Sequence, residues 1–116
     1  MSIKRLHTFY VTASDVRACA HFYETALGLE VRFRDGDRWV QFALDGTSSF
    51  AVASCEEASA GAVGGTAVFE ATEEADHIRT VQAGAREIGE RDMGAHGRTR
   101  TYADPAGNLL QLFWRA

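Results

Sequence analysis

Tyr102-Ala103-Asp104-Pro105-Ala106-Gly107-Asn108-Leu109-Leu110-Gln111-Leu112 is the stretch that decides how this chain folds. Asp-Pro-Ala-Gly-Asn is turn chemistry. Proline fixes φ early in the turn and glycine takes a positive φ later in it. The flanking segments, Arg98–Ala103 and Leu109–Trp114, are rich in aromatic, aliphatic and threonine side chains and read as strands. The whole is therefore a closing hairpin, and it holds the only proline in the chain.

Working back from that hairpin, a strand is expected near Ala85–Arg91 and another at Thr66–Ala71. Between them Thr72 is placed to cap a helix. Glu73, Glu74 and Asp76 complement the positive end of its dipole. Ala75, Ile78 and Val81 recur at helical spacing as its apolar stripe, and Gly84 ends it. The same order precedes it. Residues 3–12 read as a strand, and Ser14 or Asp15 caps a helix. Val16, Cys19, Ala20, Phe22, Tyr23 and Leu27 form the apolar face of that helix, and Gly28 stands at its left-handed end. Strands follow at Glu30–Arg34, Trp39–Leu44 and Phe50–Ser54, separated by Asp35-Gly36 and Asp45-Gly46 hairpin signals.

The chain thus repeats itself. His7 and Thr66, which open equivalent strands, stand 59 residues apart, about half the length. Two tandem βαβββ units, 1–55 and 66–116, are joined by a small, polar connector at 56–65. Neither half has enough core alone, so the expectation is one α+β domain spanning 1–116. It would have a curved, mainly antiparallel sheet, helices on the convex face and a cavity on the concave one.

Composition excludes several functions. The chain has 116 residues, a formal net charge of −4 and 46% hydrophobic residues. No apolar run approaches the ~20 residues of a membrane span. Met1–His7 does not read as a secretory signal, because charge interrupts any apolar core. Nucleic-acid binding is disfavoured by the acidic balance and by arginines scattered among acids, as in Arg32-Phe33-Arg34-Asp35-Gly36-Asp37-Arg38. Cys19 and Cys55 form no metal or redox spacing and read as reduced thiols of a cytoplasmic protein.

Two segments resemble the vicinal oxygen chelate superfamily, which includes glyoxalase I, extradiol dioxygenases and bleomycin-resistance proteins. One is Leu6-His7-Thr8 through Ser14-Asp15 to His21-Phe22-Tyr23-Glu24-Thr25-Ala26-Leu27-Gly28-Leu29. The other is the closing hairpin. The resemblance spans essentially the whole chain. It implies a cavity in which metal-dependent members hold a divalent ion at four strand positions, commonly through His, Glu, His and Glu. Carried over residue by residue, the first position is His7. The second falls on Ala51, Val52 or Ala53, the third on Thr66 and the fourth on Gln111. A divalent ion normally wants three or four imidazole, thiolate or carboxylate donors. His7 and Gln111 are thus remnants, and no metal cofactor is expected. Glu70 is no substitute: it lies four residues beyond Thr66, about 13 Å along the strand.

Strand alternation sorts the remaining candidates. His7, Phe9 and Val11 are expected on the concave face with Thr66, Val68, Glu70, Leu109, Gln111 and Phe113. Thr8, Tyr10, Phe69, Leu110, Leu112 and Trp114 are expected beneath the helices. The cavity is then largely apolar with sparse polar groups, the composition of a small-molecule site. Phe9, Trp39 and Phe113 would stack on a planar ligand. His7, Thr66, Glu70 and Gln111 would orient it, and His96 in the loop Met93–Gly97 would cover the mouth. The resulting expectation is a homodimeric, bleomycin-resistance-like protein that sequesters an aromatic molecule. The alternatives are a metal-dependent lyase, isomerase or dioxygenase with an altered ligand set, and a cofactor-free enzyme with Glu70 as catalytic base.

Overall fold

A computed structural model describes residues 5–46, 48–58 and 64–116. Its elements follow the expected order. They are β1 (Thr8–Ala13), α1 (Val16–Leu27), β2 (Glu30–Asp35), β3 (Trp39–Ala43), β4 (Ser49–Ser54), β5 (Thr66–Glu70), α2 (Ala75–Gln82), β6 (Arg86–Asp92), a short 3-10 turn at Gly94–His96, β7 (Arg98–Ala103) and β8 (Leu109–Trp114). Most of the connector, 59–63, lies outside the described residues.

The eight strands form two four-stranded sheets, ordered β1-β4-β3-β2 and β5-β8-β7-β6. Each half makes one parallel pairing, β1 with β4 and β5 with β8, and its remaining pairings are antiparallel. The repeat extends to irregularities. Each half has a register shift at the same place, between Val31 and Phe33 and between Glu87 and Gly89.

The first helix forms as its sequence dictates. Asp15 accepts a hydrogen bond from the Ala18 amide at 3.0 Å, and Gly28 closes the helix at φ 64°. Val16, Cys19, Ala20, Phe22, Tyr23 and Ala26 are buried along it. They meet Val40, Phe42, Phe50 and Val52 of the first sheet in a cluster shared with Leu110, Leu112 and Trp114 of the second. Phe69 of β5 packs edge-on to Phe50, with ring centroids 5.2 Å apart. Both sheets thus turn one face toward a common core, which is the burial that neither half achieves alone.

The second helix is turned the other way from expectation. Ile78 and Val81 are exposed, at 52% and 41%, while Thr80 is buried. The reason lies in the strands beneath. The helix-facing side chains of β6 and β7 are polar: Arg100 pairs with Glu87 at 2.9 Å, and Tyr102 Oη lies 2.7 Å from His77 Nδ1. A polar floor selects the polar face of the helix. Thr72 does not cap the helix: the N-cap residue is Glu74, without a side-chain cap hydrogen bond, and Asp76 in the first turn accepts from the amides of Thr72 and Glu73 ahead of the helix.

The closing turn also ties the halves together. Asp104 is buried and accepts from the amides of Ala106 and Asn108 at 2.9 and 2.8 Å, from Tyr23 Oη at 2.8 Å and weakly from Cys19 Sγ. Asn108 in turn donates to the Thr12 carbonyl at 2.8 Å.

Candidate functional site

Each sheet has a second face, turned away from the shared core. On the first sheet, strand register assigns that open face to Thr8, Tyr10 and Thr12 of β1, Trp39 and Gln41 of β3, and Ser49, Ala51 and Ala53 of β4. A short β3 places Trp39 and Gln41 side by side on it. Trp39 Nε1 donates to Gln41 Oε1 at 3.0 Å, and Gln41 Nε2 donates to Ser49 Oγ at 3.2 Å. The Tyr10 ring leans on Trp39 with centroids 5.4 Å apart and planes at 57°. Ala51 and Ala53, their register partners, are fully buried, while Tyr10, Trp39 and Gln41 are half-buried. The result is an aromatic platform whose polar edge is held by its own hydrogen bonds.

On the second sheet the open face carries Thr66, Val68 and Glu70 of β5, Leu109, Gln111 and Phe113 of β8, Thr99 and Thr101 of β7, and Arg91 of β6. Gln111 Nε2 donates to Thr101 Oγ1 at 3.0 Å. A crevice of about 350 Å³ lies here, lined by Ile88, Glu90, Arg91, Met93, Thr99, Thr101 and Gln111. A second crevice of about 490 Å³ runs between Leu27, Leu44, Val68, Phe69 and Glu70. Val68, Ile88 and Leu109 are exposed at 57%, 49% and 40%, so this face presents apolar surface to its surroundings.

The expected site residues separate into two groups. Thr66, Glu70, Gln111, Phe113 and Trp39 stand on open faces. Phe9 does not: its register partner is Phe50, and the two rings stack on the core side 6.4 Å apart. The expected phase of β1 is therefore reversed, with Thr8, Tyr10 and Thr12 outward and Phe9, Val11 and Ala13 inward. His7 lies just before the strand and is exposed; its carbonyl accepts from the Ser49 amide at 3.2 Å. His96 is exposed in the 3-10 turn, where Met93 rather than His96 borders the crevice. Glu70 is engaged by Arg115, whose Nε and Nη2 reach its two carboxylate oxygens at 3.1 and 3.2 Å. That ion pair occupies the atoms a catalytic base would use.

At the four positions implied by the resemblance stand His7, one of Ala51, Val52 and Ala53, Thr66 and Gln111. Register places Thr66 beside Leu109 and Gln111 beside Val68, so these two do not face each other. Among the described residues no three His, Cys, Asp or Glu side chains come together in a way that would hold a metal ion. The set does not fit a divalent cation.

Sequence reasoning missed Tyr10, Gln41, Ser49, Thr101 and Arg91. The signal for the first of these was present. In Thr8-Phe9-Tyr10-Val11-Thr12 the more apolar phase is Phe9 and Val11, and a strand with one covered face buries that phase.

A family model for the glyoxalase-like domain matches residues 8–113. The chain belongs to the glyoxalase-like domain family. Solved structures agree with that fold. A lactoylglutathione lyase from Agrobacterium tumefaciens superposes with a TM-score of 0.78 at 19% identity, covering 98% of this chain and 96% of that one. TnmS3, an antibiotic binding protein from Streptomyces sp., gives 0.77 at 24% identity, covering 100% and 99%. A glyoxalase/bleomycin resistance protein/dioxygenase family enzyme from Burkholderia phytofirmans gives 0.81 at 15%, covering 97% and 100%. No curated protein matches.

Proposed function

We propose that this glyoxalase-like protein binds a small planar molecule on its open sheet faces, as a homodimer and without a resident metal. The observation that carries the reading is the Tyr10–Trp39 pair beside the Trp39–Gln41–Ser49 hydrogen-bond chain. A tryptophan whose indole N–H is already satisfied offers its ring face at little polar cost. Gln41 and Gln111 add neutral donors and acceptors that fix orientation without charge. Exposed Val68, Ile88 and Leu109 support a partner copy closing the faces into a cavity. The free thiols Cys19 and Cys55 suit a reducing compartment such as the cytoplasm. The family resemblance to an antibiotic binding protein supports binding as the function.

The test is fluorescence quenching with a neutral planar probe, 1-naphthamide. Saturable quenching that disappears in Trp39→Phe, while buried Trp114 remains, is expected. Absence of saturable quenching sinks the reading. Light scattering at micromolar concentration tests the dimer, and a monomer mass removes that part.

A further inference from the structure

We propose that the ligand carries an acidic group, a carboxylate or an ionised phenol, held by Arg91 in the crevice on the second sheet. This rests on the small-molecule reading above and names the ligand class for it.

The inference comes from how β6 sorts its charges. Register directs Glu87, Glu90 and Asp92 toward the helix side, opposite Tyr102, Arg100 and Arg98. There they are spent on partners: Arg100 reaches Glu87 at 2.9 Å and Glu90 at 3.4 Å. Asp92 accepts from the Gly94 amide at 2.8 Å. Arg91, between two acids in sequence, stands on the other side, opposite Thr99. Among the described residues no hydrogen bond or ion pair engages its guanidinium. It lines the same crevice as Thr99, Thr101 and Gln111.

The rest of that face reinforces the sign. Arg86, opposite Ala103, shares it. Among the described residues, register puts one carboxylate on it, Glu70, which Arg115 neutralises, while Glu90, which also borders the crevice, is paired with Arg100. A chain of net charge −4 thus presents a net positive open face on its second sheet. The equivalent position in the first half holds Asp35, opposite Trp39, so the preference belongs to the second half. A guanidinium offers paired donors that match a carboxylate in the plane. Thr99, Thr101 and Gln111 supply neutral hydrogen bonds beside it, and Ile88 and Met93 give the apolar wall that an aromatic acid needs.

The experiment compares 1-naphthoate with its isosteric amide, 1-naphthamide, at pH 7.5. Chemical-shift titration gives the dissociation constants, because Trp39 stands on the first sheet and the crevice on the second. NMR shifts of the Gln111 side-chain amide and the Thr99 and Thr101 backbone amides locate the site. The expected result is that the acid binds about tenfold more tightly than the amide, the value of one charge-assisted hydrogen bond. Arg91→Gln brings the two affinities together by weakening the acid alone, and Arg91→Lys retains part of the difference. Equal affinities in the unaltered protein, or a preference that survives Arg91→Gln, overturn the inference while leaving the small-molecule reading intact. Failure of both probes to bind overturns both.

Discussion

The Tyr23 hydroxyl of the first helix donates to Asp104 of the closing turn at 2.8 Å, joining residues 81 positions apart in sequence. Asp104 also holds the turn itself through the amides of Ala106 and Asn108. One buried carboxylate therefore shapes the hairpin and fastens it to the other half of the molecule.

Removing the carboxylate orphans buried donors on both sides of that junction. Asp104→Ala is expected to cost about 3 kcal/mol, and Tyr23→Phe, which leaves Asp104 its backbone donors, about 1 kcal/mol. Urea denaturation measures both. Equal losses would show that the turn does not depend on Asp104 for its own shape.

Alkaline pH should destabilise the fold through the same region. Burial, then the Asp104 charge, pushes the pKa values of Tyr23 and Cys19 well above their ordinary values, making both weaker acids. Burial pushes Tyr102 up to about 12. Each folded-state value lies above its unfolded one, so the stabilisation is complete below the unfolded value. It begins to be lost from about pH 9 for Cys19 and pH 10 for the tyrosines. Each such group steepens the fall by about 1.4 kcal/mol per pH unit. Stability measured from pH 7 to 12 should be flat at first and then drop, and Tyr102→Phe should flatten the segment between pH 10 and 12.

Gly97 packs against the end of β8. A Cβ there would collide with the Trp114 carbonyl and lie 2.8 Å from Phe113 Cε1, at a backbone φ of +90°. Gly97→Ala is expected to cost about 2–4 kcal/mol, because backbone rather than a flexible side chain must move. Thermal unfolding reads the loss.

The reversed second helix predicts a contrast. Ile78→Lys and Val81→Lys should change stability by less than about 0.5 kcal/mol, because both side chains are already in water. Leu112→Ala, in the shared core, should cost about 2–5 kcal/mol. A large loss at Ile78 would mean that a partner covers that helix face.

The donor set predicts that protein loaded with nickel or zinc and then dialysed keeps a substoichiometric amount of metal. One tightly held ion per chain, measured by elemental analysis, would show that His7 and Gln111 recruit donors from a second copy.

Much of the fold was legible because its signals are local. Asp15, Gly28 and the Asp104–Asn108 turn act within a few residues of themselves. His7, just ahead of β1, carries no information about which way the strand faces. The packing of β1 follows Phe9 and Val11 instead. The orientation of α2 was not local at all. It answers to Arg100 and Tyr102, more than twenty residues downstream, and no periodicity within Ala75–Gln82 contains that information. Arg91 escaped notice for a similar reason. Among Glu90, Arg91 and Asp92 it looks like one charge in a mixed run until the register separates them.

That register depends on a single unpaired residue. The bulge between Glu87 and Gly89 removes Ile88 from the ladder. Were Ile88 paired instead, every later side chain of β6 would change sides. Arg91 would then be driven against Arg98, and Glu90 and Asp92 would point outward. The first half contains the same correction at Arg32, between Val31 and Phe33. Each bulge is thus a frame-keeper, an extra residue already absorbed. Deleting Ile88 should leave the charge sorting downstream intact, whereas inserting one residue after Gly89 should invert the electrostatic sign of the face.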